Sequence, residues 1–92
     1  MIKTLFSVEL YCAGVGSQVL QKLVLMPYPL RTGDAAHITL GEEGEYYLTV
    51  SETSFDITNM ALYVGLGAIE ENLPENHESG VLSLIKAGWD KV

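Results

Sequence analysis

The stretch from Ile2 to Cys12 alternates without a break, and this constrains the fold more than any other feature of the chain. Ile2, Thr4, Phe6, Val8, Leu10 and Cys12 fill the even positions, with Lys3, Leu5, Ser7, Glu9 and Tyr11 between them. Successive strand side chains point to opposite faces, so a period of two predicts a half-buried β-strand. Gly14 and Gly16 follow and suit a hairpin connection, because glycine takes positive φ at little cost.

The next run, "VLQKLVLMPY", fits two periods. Leu20, Leu23 and Val24 also share a helical face, and Ser17 is in place to cap it. The glycine turn before it and the unbroken "LVLM" favour a strand over residues 18–26, which Pro27 and Pro29 then stop. In "PLRTGD", Pro29 fixes its own φ and Gly33 accepts either sign, a combination that reverses the chain between two strands. A phosphate loop requires G-x-x-x-x-G-K-[ST] opening a helix, and here one glycine precedes an alternating run. The segment reads as a corner.

In "AAHITL", Ala36, Ile38 and Leu40 share one face, while Ala35, His37 and Thr39 share the other. "GEEGE" is a polar turn, and "EYYLTVSETSF" returns with Tyr46, Leu48 and Val50 inward. "DITN" turns again, and Met60, Leu62, Val64 and Leu66 line one face of the next run. Short polar turns between alternating runs predict an antiparallel meander, five strands in all.

Residues 67–78 are acidic, contain Pro74 and read as a loop. Residues 79–90 place Val81, Ile85 and Trp89 four apart, with Leu82 beside them, which predicts an amphipathic helix capped by Ser79 with Glu78 at its positive end. The expected fold is mainly β with one C-terminal α-helix. It is a five-stranded, strongly bent antiparallel sheet or small barrel with the helix packed against it, in a single domain spanning 1–92. The order of strands, Pro and Gly-Asp corner, acidic turn and long hairpin from Leu20 to Leu66 is similar to small SH3-like barrels, a pattern of turns that carries no catalytic motif.

Charge narrows the functional classes. Five Lys and Arg against twelve Asp and Glu leave a net charge of −7, and no basic side chain occurs between Arg31 and Lys86. Binding a nucleic-acid backbone depends on Lys and Arg displacing counterions, so direct contact with DNA or RNA is not expected. Glu42, Glu43, Glu45, Glu70, Glu71 and Glu75 form the acidic surface, which solvates the domain or attracts a basic partner protein. The lone Cys12 excludes an internal disulfide and reads as a buried, inert thiol. No apolar run reaches membrane-spanning length, and "MIKTLF" lacks the long apolar middle of a signal peptide, which together imply a cytoplasmic location.

Asp34 and His37, three apart, and His77 among Glu71, Glu75 and Glu78 are the candidate sites for a metal or small-molecule activity. Neither has the spacing of a known ligand motif, no cofactor is implied, and no Ser, Thr or Cys sits in a nucleophile elbow. The aromatics are the stronger candidates. Tyr11, Tyr28, Tyr47 and Tyr63 fall opposite the best apolar stripe or at its border, and Trp89 ends the helix. Tyrosine joins an apolar ring to a polar tip and is frequent at interfaces, although a curled sheet would bury the same residues as ordinary core edges.

The leading expectation is therefore a non-enzymatic binding domain that self-associates as a homo-oligomer through a tyrosine-bearing sheet face and the terminal helix. An acidic inhibitor occupying another protein's basic surface is the second reading. Activity near His37 is the third.

Overall fold

In the computed structural model, which describes residues 1–40 and 44–92, the first alternating run is strand β1, Ile2–Cys12. Gly14 and Gly16 take φ of 83° and 111° in the turn that follows. The chain then returns antiparallel as β2, Gly16–Met26, with Val8 opposite Leu20 and Leu10 opposite Gln18. The ambiguous second run is thus a strand. Pairing residue for residue along the whole of β1 satisfies its backbone and keeps Leu20 on the face of Val8 and Leu10.

The Pro and Gly-Asp segment is a corner. The Arg31 amide donates to Asp34 Oδ2 at 2.8 Å, and the Asp34 amide donates to the Arg31 carbonyl at 3.0 Å. Between them Gly33 takes φ of 95°, which a side chain would strain. Beyond it, β3 (Ala35–Thr39) and β4 (Glu45–Thr49) form an antiparallel hairpin separate from the main sheet. Ile38, Leu40 and Val50 are buried, and Ala36, Tyr46 and Leu48 pack against the same core.

At Val50–Ser51 the chain changes sheets. The Val50 amide still donates to Asp34 of the hairpin, at 2.8 Å, whereas the Ser51 amide donates to the Gly65 carbonyl in the main sheet, at 2.8 Å. The single strand expected from "EYYLTVSETSF" is therefore two, β4 and β5 (Glu52–Asp56). A tight turn leads from β5 into β6, Ala61–Glu71. Asp56 holds that turn: its carboxylate accepts from the amides of Thr58 and Asn59 and from Asn59 Nδ2 at 2.7 Å. These bonds, the Asn59 side chain's foremost, hold the exposed Asp56 carboxyl below its ordinary pKa.

The main sheet runs β5-β6-β1-β2-β7, where β7 is Asp90–Lys91. β6 lies parallel to β1, with Leu5 beside Tyr63 and Leu10 beside Ile69. This corrects the expected antiparallel meander, and among the described residues no sheet closes into a barrel, since β5 and β7 are the edges of the main sheet. The expected loop over 67–78 is corrected as well. A bulge facing Val8 adds one residue to β6, Gly67 takes φ of 82° there, and the strand resumes with its phase reversed. Ile69 consequently points into the core although Leu62, Val64 and Leu66 precede it at even positions.

The helix, α1, spans Pro74–Lys86 and so begins five residues before the expected Ser79 cap. Leu73 is the N-cap in extended conformation, Pro74 opens the first turn, where a missing N–H costs nothing, and Glu75 complements the dipole. Its buried side is His77, Gly80, Val81 and Leu84, so Leu82 and Ile85 are exposed and the expected Val81–Ile85–Trp89 stripe is not the packed one. β1, β2 and β6 carry the helix and the β3–β4 hairpin together over one face, with Val8, Leu10, Leu20, Val64 and Leu66 between the layers. Among the described residues no helix is long and apolar enough to cross a membrane.

The helix ends in a tight cap. The Trp89 amide donates to the Leu84 carbonyl at 2.9 Å and the Gly88 amide to Ile85 at 3.1 Å, with Gly88 at φ of 97°. This is the double bond pattern of a glycine-terminated helix, and it swings Trp89 back under Leu84. Replacing Gly88 by Ala forces a side chain into left-handed backbone and should cost about 1–2 kcal/mol. An unfolding free energy from urea titration lower by that amount is expected, and an unchanged value would contradict this role.

Candidate functional site

The hairpin and the helix share one face of the sheet without covering all of it. Between them lies an open groove of about 620 Å³. Phe6 of β1 and Lys22, Val24 and Met26 of β2 form its floor, because these even positions continue the buried face beyond the reach of the covering layer. Leu30, Ala36 and Ile38 form one wall, and Leu84, Ala87 and Trp89 form the other. Tyr28, His37 and Thr39 lie along the rim.

The lining is apolar with a cation at one end. Lys22 Nζ donates to the Ala87 carbonyl at 2.7 Å, at the C-terminus of α1, where exposed carbonyls give the helix its negative end. One of three ammonium donors is thereby engaged, which fixes the charge at the Trp89 side of the groove. Trp89 is only 9% exposed and presents part of its ring there. An apolar trough with one positioned cation can hold an apolar body and orient a hydrogen-bond acceptor attached to it.

The tyrosines singled out in the sequence are not gathered on one surface. Tyr28 joins the groove rim. Tyr47 projects from the outer side of the hairpin, where its ring lies 5.7 Å from that of His37 and its hydroxyl donates to Glu45 Oε2 at 3.1 Å. Tyr63 and Tyr11 lie on the opposite face of the main sheet, beside Leu5 and Glu70 respectively. There Tyr63 lines a second hollow of about 480 Å³ with Lys3, Leu5, Leu23 and Asp56. Trp89 alone of the terminal aromatics contributes to the packed core.

The acidic residues are dispersed too. Glu45, Glu70 and Glu75 are exposed on the hairpin, β6 and α1, while Glu71 accepts a hydrogen bond from the Tyr46 hydroxyl at 3.0 Å. Glu42 and Glu43 lie outside the described residues. Asp34 belongs to the corner described above and His37 to the outer side of β3, so the two do not converge. Among the described residues no three His, Cys, Asp or Glu side chains come together in a way that would hold a metal ion.

His77 has a different place from the acidic loop expected for it. It sits in the second turn of α1, buried, with Nε2 3.1 Å from the Leu10 carbonyl of β1. A carbonyl only accepts, so Nε2 carries the proton, and the ring pins the start of the helix to the central strand.

The groove residues Phe6, Lys22, Val24, Met26, Leu30 and Ala36 were not anticipated as a set. The available signal was Lys22. It stands at an inward position of an apolar strand, where a charge needs a reason. His77→Ala removes the bond that pins the start of α1 to β1, beyond the ladder that already pairs Leu10 with Gln18, and should cost about 0.5–1.5 kcal/mol. A melting temperature equal to that of the parent would show that the bond contributes nothing. No family model, no curated protein and no solved structure matches this chain.

Proposed function

We propose that this protein is a small non-enzymatic binding domain that self-associates and receives an apolar ligand in the groove between hairpin and helix. The observation that carries this reading is the groove itself. At about 620 Å³ it falls within the usual range for small-molecule sites, and it joins an apolar floor to a fixed ammonium at Lys22. The chemistry suits a molecule with an apolar body and an anionic or carbonyl-bearing end.

The mainly apolar lining supports binding in preference to proton or group transfer. Lys22 is engaged with a helix carbonyl, and His37, at the rim, has its ring centroid 5.7 Å from that of Tyr47. The dispersed carboxylates support solvation of the surface in preference to mimicry of a nucleic acid, which needs its charges in one ordered array.

The aromatic sulfonate 8-anilinonaphthalene-1-sulfonate carries both features and serves as the probe. The folded protein is expected to bind it with one site and to transfer excitation to it from Trp89. Ala36→Phe, which fills the trough, should weaken the binding at least tenfold without lowering the melting temperature. Binding that is unaffected by Ala36→Phe and by Lys22→Met would remove the groove from the account.

A further inference from the structure

The face of the main sheet turned away from the core has small residues at its centre. Ser7 of β1 pairs with Gly65 of β6, and Gly65 pairs with Glu52 of β5, so the three stand in one row on this face. Past the bulge at Gly67, Ala68 comes beside Glu9 of β1. With no side chain at Gly65 and only a methyl at Ala68, the sheet is left with a hollow of about 400 Å³, bordered by Glu9, Glu52, Val19 and Tyr63. That volume is enough for a small molecule.

Gly65 is not needed for its backbone, which lies outside the left-handed region. It is needed for space. A Cβ there would meet Glu52 Cγ at 2.9 Å and Glu52 Oε1 at 3.3 Å, so the Glu52 side chain lies folded across β6, over the hollow. Beside it stands Ser7, only 8% exposed, whose hydroxyl makes no hydrogen bond among the described residues. The neighbouring Ser51 hydroxyl differs, since it donates to the Gly65 carbonyl at 3.0 Å. Among the described residues neither Glu9 nor Glu52 has a cationic partner. A buried hydroxyl left unpaired in a hollow with two unpaired carboxylates is costly unless something else satisfies it.

We propose that this hollow binds a primary ammonium group carried on a short apolar stem. An ammonium has three donors and no acceptor, and the hollow offers it three acceptor groups, the carboxylates of Glu9 and Glu52 and the Ser7 hydroxyl. Tyr63 adds an aromatic ring, a surface that attracts cations, and Val19 adds apolar area for the stem. The net charge of −7 favours the approach of a cation from a distance. A divalent metal is the poorer fit. Calcium takes six to eight oxygen ligands and magnesium a full octahedron, whereas no third carboxylate, His or Cys among the described residues joins these two. The hollow and the groove lie on opposite faces of the sheet, so neither assignment rests on the other.

Titration of the full chain with n-butylammonium, followed by amide chemical shifts, tests the proposal. The amides of Ser7, Gly65, Gly67 and Ala68 should shift together and saturate. The uncharged n-butanol and calcium ion should not saturate them. Gly65→Ala, whose methyl displaces Glu52, should weaken binding at least tenfold. The Glu9→Gln, Glu52→Gln double variant should do the same while keeping its other amide shifts, so the test survives if Gly65→Ala fails to fold. Nα-acetyl-lysine amide carries the same group. Tighter binding of that compound assigns the site to a lysine side chain, tighter binding of butylammonium assigns it to a free amine, and either result upholds it. Shifts that butanol or calcium reproduces, that fall elsewhere, or that persist in the double variant would overturn the proposal.

Discussion

The parallel pairing of β1 with β6 is the constraint on which the rest of the structure depends. Two parallel strands cannot be joined by a tight turn, so the chain between them must travel over or around the sheet. Here that journey begins at the end of β2, crosses one face as the β3–β4 hairpin, reaches the far edge as β5, and turns back as β6. The crossing segment supplies the second layer. Ile38, Leu40 and Val50 come down onto Val8, Leu10, Val64 and Leu66, and the core forms between the crossing and the sheet it crosses.

The groove follows from the same geometry. The hairpin is carried toward β6, whose far partner β5 is its destination, and α1 is tied to β1 through His77 and Leu10. The β2 half of the sheet is left with only the C-terminal residues above it. Lys22 bridges part of this gap by reaching the Ala87 carbonyl, and Trp89 folds under Leu84 because Gly88 permits the reversal. What remains open is a trough floored by apolar strand positions. The apolar groove thus has part of its origin in the two-residue length of β7.

Much of this was legible in the sequence because strands announce their faces. The inward alternation from Thr4 to Cys12, the inward set Ala36, Ile38 and Leu40, and the inward set Tyr46, Leu48 and Val50 all reappear buried or packed against the core. Three features were hidden for definite reasons. Parallel and antiparallel pairing present the same periodicity, so β6 could not be placed beside β1. The bulge at Gly67 reverses the phase of β6, which makes Ala68–Glu71 look like the start of a loop. Val50 and Ser51 read as one continuing strand although their amides bond to different sheets. At the helix, Pro74 resembled a breaker but stands at the first turn, where proline is well tolerated. The site was less legible than the fold, because a groove is what packing leaves uncovered and no residue type marks it.

The measurement that tests the account most directly is the pattern of interstrand nuclear Overhauser effects between β1 and β6 in solution. The expected result is that contacts rise together along both strands, Leu5 with Tyr63 and Leu10 with Ile69. Contacts running in opposite senses, with Leu10 near Leu62 and Thr4 near Ile69, would make the pair antiparallel. The crossing, the core and the groove would then all require a different explanation.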